Sequence, residues 1–218
     1  DFLVVDSAGA FLLDTSREKA GELAKRLGLY KLRAKVEIAD LSAEARGDDG
    51  LALVALLDGA AAPDGAVAFD DPRAADLGRR AITPLRLARA IGGDPRLYEA
   101  RRIAAGAPRG GADFTWGDAF PHEANMDLLH GVAFDKGCYV GQEVVSRMQH
   151  RGLARKRVVK VAIEGAVAPG VQIRAGDISI GALGDIVEGR GLATVRTDRL
   201  EEAGDTPLIA GGAQVRVI

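Results

Sequence analysis

The residues best suited to chemistry surround the chain's one cysteine, in the run Lys136-Gly137-Cys138-Tyr139-Val140-Gly141-Gln142-Glu143. A cysteine reacts or binds metal as its thiolate, which a nearby cation or a helix N-terminus favours. If residues 132–134 form a short strand that continues in extended form, Lys136 and Cys138 project to the same side, because side chains two apart share a face. The sequence then predicts an accessible thiol at Cys138 that the Lys136 ammonium holds ionised.

A tight corner and a helix are predicted around this thiol. Gly137 and Gly141 lack a Cβ and allow backbone angles that suit an exposed corner. From Gln142 onward, apolar residues recur at helical spacing, at Val144, Val145 and Met148. Glu143 and Arg147 stand one turn apart and are expected to form an ion pair. The predicted order is therefore strand, turn and helix.

A buried and inert cysteine is the alternative, because free cysteine is among the most buried residue types. A lysine and two glycines are poor neighbours for a core residue, so we favour the reactive thiol. One thiol alone cannot hold a structural zinc ion or a complete iron–sulfur cluster, since both need several ligands. Any cluster at Cys138 is therefore expected to be transient or shared, and no stably bound metal is expected.

The composition, with 47% hydrophobic and 28% charged residues, is that of a chain that folds around a packed core. A formal net charge of -2 does not select an anionic partner for the whole molecule. Positive charge is concentrated from Lys136 to Lys160, where Glu143 is the one carboxylate. A lone cysteine, with no secretory or bilayer-spanning segment, predicts a cytoplasmic location and no membrane partner.

The order of patterns along the chain predicts an α+β layer followed by a small all-β barrel. Strands are expected at residues 2–5, 10–13, 36–39, 51–57 and 66–69. Helices are expected from a capping box at Thr15 and Glu18 to Gly28, after Pro84, and from Asp94 to Gly106. The barrel strands are expected at 158–163, 171–174, 178–183, 191–195 and 214–218.

The segment between the last of these helices and the cysteine has a weaker pattern. Residues 106–121 are glycine-rich and are expected to form a loop, and residues 122–130 a short helix. His122 and His130 could ligate a metal together with Glu123 and Asp127, but their spacing matches no tight motif. Surface or hydrogen-bonding roles are therefore expected for both histidines.

The octapeptide resembles the signature of the YgfZ family, folate-binding iron–sulfur cluster assembly factors related in fold to the aminomethyltransferase (T-protein) of glycine cleavage. Matching positions also lie on both sides of it, at Arg102-Ile103, Gly106, Pro108, Pro121, Glu123, Asn125, Gly131-Val132, Phe134, Arg147, His150, Gly152, Arg155 and Arg157. The likeness is dense from about Ile82 to Val161. It implies a T-protein-like α+β domain over residues 1–151, without the family's N-terminal segment, and a β-barrel domain over residues 152–218.

The resemblance also implies roles for individual residues. Cys138 would be the working thiol, either as a transient cluster ligand or in sulfur or redox exchange, and Lys136 would favour its thiolate form. The residues that would shape and orient the corner are Gly137, Tyr139, Gly141, Gln142 and Glu143. Tetrahydrofolate is the implied cofactor, with candidate contacts at Tyr98, Arg102, Arg147 and Arg155. Ala104 stands where the T-protein relatives have a glutamate that binds the pterin ring.

The function we favour is assembly or repair of iron–sulfur clusters on client enzymes, in concert with those clients or with other assembly factors. The first alternative is a tetrahydrofolate-dependent aminomethyl transferase, whose chemistry has no need of the cysteine. The weaker alternative is an RNA-binding module, suggested by basic residues beside a small barrel. No aromatic residues are interleaved with those charges to stack on bases, so nucleic acid is an unlikely partner by sequence.

Overall fold

A computed structural model describes residues 1–151 and 155–218 of the chain. These residues form two compact units, the first made of Asp1–Asp71 and Gly78–Gly93 and the second of Pro72–Leu77 and Asp94–Ile218. The predicted domain boundary beside Gly152 lies outside the described residues, and that division stays a prediction. Among the described residues, no helix combines the length and the apolar character needed to cross a bilayer.

The first unit contains five strands and three α-helices. In chain order they are β1 (Leu3–Ser7), β2 (Ala10–Asp14), α1 (Arg17–Tyr30), α2 (Ala43–Arg46), β3 (Leu51–Leu56), β4 (Val67–Asp70), β5 (Arg79–Pro84) and α3 (Leu85–Ala90). Strands β1 and β2 form the predicted hairpin, with Leu3 opposite Asp14 and Ser7 opposite Ala10. Its turn residues, Ala8 and Gly9, both have positive φ, which matches the twist of the flanking strands.

A three-stranded antiparallel sheet in the order β3-β5-β4 forms the rest of the first unit's strand structure. The predicted strands at 51–57 and 66–69 are confirmed within a residue or two as β3 and β4. The central strand, β5, was not predicted, because its two leading arginines hide the apolar pattern. The predicted strand at 36–39 is wrong, since no strand forms there and Val36 is exposed among charged neighbours.

Helix α1 differs from its prediction at both ends. The Thr15 hydroxyl donates to the Asp1 carbonyl instead of capping the helix, and Ser16 occupies the cap position. The helix runs past Gly28 to Tyr30, since one glycine costs a helix only about 1 kcal/mol. The predicted capping box and glycine stop are therefore wrong.

Over residues 94–151 and 155–218, the second unit contains three α-helices and six strands. They are α4 (Pro95–Ala104), α5 (Gln142–Arg151), β6 (Lys156–Glu164), β7 (Gln172–Ala175), β8 (Ile178–Val187), β9 (Arg190–Arg196), α6 (Thr197–Ala203), β10 (Leu208–Ala210) and β11 (Ala213–Val217). Helix α4 begins as predicted, because the Asp94 carboxylate accepts from the Arg96 amide at 2.9 Å and Pro95 takes the first position.

The six strands of the second unit close into a barrel in the order β10-β11-β6-β9-β8-β7. Every neighbouring pair is antiparallel. The barrel interior is apolar and almost fully buried, with core residues Val161, Ile173, Ile180, Ala193, Val195, Ala210 and Val215. The predicted C-terminal barrel is confirmed, although strand β10 and helix α6 were not foreseen.

Two predictions for the segment before α5 are wrong. Residues 122–130 form successive turns instead of a helix, because Asn125 and His130 adopt φ values of +57° and +58° that break helical continuity. Residues 132–134 do not form a strand. The chain around Cys138 is therefore held by turns and side chains.

Candidate functional site

The site is built on residues 131–141, here called the Cys138 loop. The Cys138 side chain is an exposed free thiol. Every residue from 133 to 138 is exposed, and Val140 is 98% exposed. The loop therefore presents its thiol to the surroundings, as the sequence predicted, and contributes little to the core of the second unit.

Lys136 takes a different position from the one that an extended chain would give it. The backbone bends at residues 134–136, and the Lys136 ammonium lies 4.7 Å from the centroid of the Tyr139 ring. This cation–π contact places a positive charge on the aromatic ring that follows Cys138. The predicted effect of Lys136 on the ionisation of Cys138 stays a prediction.

Gly141 connects the Cys138 loop to helix α5. Its φ of +88° is a conformation that residues with a Cβ rarely adopt. The Tyr139 carbonyl accepts from the Gln142 amide, and the Gly141 carbonyl accepts from the Val145 amide, so the first turn of α5 begins directly after the glycine. A Cβ on Gly137 would meet nothing within 4 Å, so close packing does not explain that glycine.

Helix α5 begins at Gln142, as predicted. Val145 and Met148 are buried, whereas Val144 is 43% exposed, so only part of the predicted apolar face packs inward. The predicted ion pair is confirmed, with Arg147 Nη2 at 2.5 Å from Glu143 Oε1. Both side chains are exposed, and such a pair contributes at most about 0.5 kcal/mol.

Residues 121–130, here called the turn segment, attach the Cys138 loop to strand β6. The Val158 amide donates to the Glu123 carbonyl, and Asn125 Nδ2 donates back to the Val158 carbonyl, both at 3.0 Å. The Arg157 guanidinium binds both oxygens of Asp127, at 3.1 and 3.0 Å. Asp127 thus serves as the partner of an arginine, and the turn segment takes its position from the barrel.

His122 links the turn segment to both sides of the Cys138 loop. The imidazole is only 2% exposed and makes a hydrogen bond, which is one of the two roles that the sequence predicted for it. Its Nε2 lies 3.1 Å from Gln149 Oε1 on α5, and its ring centroid lies 6.1 Å from that of Phe134. Sequence reasoning missed this link, because a lone histidine carries no signal of what it contacts.

Arg102, a candidate folate contact, lies at the centre of a buried ion cluster. Its side chain is 1% exposed, and its nitrogens donate to Asp113 at 2.5 Å, Asp185 at 2.7 Å and Glu99 at 2.9 Å. It also donates to the Ala107 carbonyl. Burial by itself lowers the pKa of the guanidinium, but Asp113 and Glu99 outweigh it, so the pKa is raised. The guanidinium fork is therefore filled by the protein itself.

The other candidate folate residues have separate surroundings in the second unit. The Tyr98 hydroxyl accepts from Arg73 at 2.8 Å, Arg147 pairs with Glu143, and Arg155 is exposed. A cavity of about 410 Å³ lies in this unit, lined mainly by residues 111–119 and by the barrel, and by none of the four candidates. The residues described here thus fit folate poorly, apart from the two exposed arginines.

The C-terminal barrel of the second unit matches a known domain family. Residues 155–218 match the family model described as the C-terminal beta-barrel domain of CAF17, and these are the residues of the closed barrel. The second unit therefore carries a CAF17-type barrel, directly after the cysteine-bearing loop and helix α5.

More extensive similarity joins the chain to particular proteins. It is 33% identical over 183 residues to the mouse protein named iron-sulfur cluster assembly factor IBA57, mitochondrial, covering 76% of this chain and 50% of the relative. It is 34% identical over 161 residues to the human protein of that name, covering 69% of the chain and 45% of the relative. The Neurospora crassa homolog is 34% identical over 163 residues, covering 69% and 37%.

The chain is thus similar in sequence to proteins named iron-sulfur cluster assembly factor IBA57, and its residues 155–218 match the CAF17 barrel model. It spans half the length, or less, of these relatives.

Proposed function

We propose that this chain acts in the assembly or repair of iron–sulfur clusters, with Cys138 as its working thiol. The observation that carries the proposal is the exposed, free Cys138 on a loop attached to the barrel, in a chain related to proteins named iron-sulfur cluster assembly factors. A resident cofactor site would bury its ligands, whereas a thiol that exchanges its cargo must be reached by a second protein. The exposure of residues 133–138 meets that requirement.

The chemistry available to Cys138 is ligation of a cluster that another protein delivers or receives. The thiol loses its proton to solvent when its sulfur ligates iron, because the thiolate is the ligand. Since one thiolate cannot complete a cluster, the remaining ligands come from the donor or the client. The exposed cations at Lys136, Arg155 and Lys156 would attract thiolate-ligated clusters and acidic partners, both of which carry negative charge.

Replacing Cys138 by alanine tests the proposal. Cells that lack the native protein are supplied with the wild-type chain or with Cys138→Ala, and the activity of a cluster-dependent enzyme is measured. We expect the variant to restore no more activity than the empty vector. Its free energy of unfolding should stay within about 0.5 kcal/mol of wild type, because the side chain is exposed.

The matched control is Val140→Ala, which shortens an exposed side chain on the same loop and leaves the thiol in place. Rescue by this control, together with failure of Cys138→Ala, would assign the effect to the sulfur. Full rescue by Cys138→Ala would reject Cys138 as the working thiol.

Tetrahydrofolate as a cofactor remains part of the proposal, and its support within the described residues is the pair of exposed arginines, Arg147 and Arg155. An arginine binds a carboxylate through two parallel hydrogen bonds, which suits the glutamate end of folate. No step described for Cys138 depends on this cofactor.

Folate binding is tested by titrating the chain with tetrahydrofolate under anaerobic conditions and following the fluorescence of its one tryptophan, Trp116. We expect Arg147→Ala and Arg155→Ala each to weaken binding by about tenfold, the effect of losing one charge-assisted hydrogen bond. Arg96→Ala, which removes another exposed arginine, is the control and should leave the affinity unchanged. Equal affinities in all four proteins would remove both arginines from the folate site.

The same proposal includes a T-protein-like arrangement of the α+β part, membership of the YgfZ family and a cytoplasmic location. The names of the relatives place those proteins in mitochondria. The partners we propose are cluster-containing clients or other assembly factors. No observation on the described residues favours the aminomethyl transferase or the RNA-binding alternative.

A further inference from the structure

We infer that His122 is the positioning residue of the Cys138 loop, and that it holds the thiol in place by joining the two sides of the loop. On one side its ring contacts Phe134, four residues before Cys138. On the other side its Nε2 bonds to Gln149, on helix α5. One imidazole therefore closes the base of the segment from Phe134 to Gln149, with the thiol at the exposed far side.

The loop needs such a closure because it has little structure of its own. Its residues lie outside helices and strands, and those from 133 to 138 are all exposed. Ordering an exposed segment costs conformational entropy that its own contacts do not repay. A loop of this kind keeps one orientation only when its ends are fixed.

The hydrogen bonding of the buried His122 ring indicates why an imidazole stands at this position. Because Gln149 Oε1 can only accept, His122 Nε2 is the donor of this hydrogen bond. Nδ1 is buried, and no residue among those described gives it a hydrogen bond. An apolar side chain would fill this place without burying an unpaired nitrogen. The bond to Gln149 is therefore what the imidazole provides and an apolar ring would not.

The closure is fixed relative to the barrel. The turn segment that carries His122 is bound to β6 through Glu123, Asn125 and Asp127. The barrel therefore fixes the turn segment. His122 in that segment holds Phe134 and α5, and the chain that carries Cys138 lies between them. At the start of the loop, the Gly131 amide donates to the Met126 carbonyl at 2.7 Å, and a Cβ on Gly131 would meet Met126 at 3.0 Å.

The lone cysteine allows a direct test. A nitroxide spin label attached to Cys138 reports the mobility of the loop by its EPR line shape, with no other cysteine to remove. We compare the 218-residue chain with His122→Phe, which keeps ring packing and loses the bond, and with Gln149→Ala, which removes the acceptor from an exposed position. Both should shorten the correlation time of the label at least about twofold. The double variant should add nothing further.

Two variants show whether the effect belongs to the hydrogen bond. Gln149→Glu keeps an acceptor for Nε2 and should leave the line shape as in wild type. Val215→Ala creates a small cavity in the barrel core; it should lower the urea midpoint without mobilising the label. Unchanged line shapes in His122→Phe and Gln149→Ala would overturn the inference, as would equal mobilisation by Val215→Ala.

The inference rests on the proposed function in one respect, namely that Cys138 must keep this fixed orientation for cluster assembly. We therefore expect His122→Phe to lower rescue of the cluster-dependent enzyme, and Gln149→Glu to restore it to wild-type level. A mobilised label with undiminished rescue by His122→Phe would overturn the positioning role. Full rescue by Cys138→Ala would instead overturn the proposed function, so the two failures are distinguishable.

Discussion

Replacing Arg102 by methionine is expected to lower the free energy of unfolding by about 3–5 kcal/mol, the usual cost of removing one partner from a buried ion pair. Methionine fills much of the space but leaves the Asp113 carboxylate buried without its guanidinium. Asp185 and Glu99 lose one partner but keep the Arg109 guanidinium, at 2.7 Å from each, and both are less buried than Asp113. The expected loss is therefore dominated by Asp113.

Urea unfolding followed by circular dichroism measures this loss. Arg96→Met is the matched control on the same helix, because Arg96 and Asp94 form an exposed pair, and its midpoint should not move. Adding Asp113→Asn to Arg102→Met should recover part of the stability, since the stranded charge is then removed. Equal midpoints for Arg102→Met and Arg96→Met would show that the buried cluster contributes no net stability.

Replacing Asn125 by aspartate is expected to cost about 2–4 kcal/mol, since the buried Val158 carbonyl and the half-buried Gly106 carbonyl each lose a donor and face a carboxylate. Asn125 Nδ2 lies 3.0 Å from the Val158 carbonyl and 3.2 Å from the Gly106 carbonyl. Aspartate tolerates the φ of +57° about as well as asparagine, so backbone strain does not contribute. The loss would weaken the attachment of the turn segment to β6, which the bonds through Glu123 and Asp127 would still hold.

Hydrogen exchange of the Val158 amide measures that weakening, because this amide donates to the Glu123 carbonyl within the attached segment. Exchange should accelerate strongly in Asn125→Asp. Asn125→Gly is the control, since it also removes the side-chain donor but adds no charge and suits the positive φ. An Asn125→Asp protein as stable as Asn125→Gly would contradict the repulsion between carboxylate and carbonyls.

Local signals made parts of this architecture predictable. Asp94 followed by Pro95 predicts the start of α4, because capping involves residues that are adjacent in the sequence, and the structure confirms this start. The close spacing of short apolar runs after Arg157 predicted the barrel, because alternating burial imposes a period of two on each strand. The exposure of Cys138 followed from its polar and glycine neighbours.

The remaining features depend on contacts between distant residues, which one sequence does not reveal. Arg102 looks like any helical arginine until Asp113 and Asp185, 11 and 83 residues away, are brought against it. His122 likewise depends on Gln149, 27 residues further on. The turn segment was predicted as a helix because Asn125 and His130 have positive φ, which asparagine and histidine indicate less clearly in a sequence than glycine does. Long-range pairing of polar groups, and not local propensity, decided these positions.

The closed barrel limits how another protein can engage this part of the chain. In a closed ring of six strands, every strand pairs with two neighbours, so the barrel has no edge strand to which an incoming peptide could add. A partner that binds the barrel must then be recognised by the shapes and charges of side chains. These discriminate among partner proteins far better than an exposed backbone edge would.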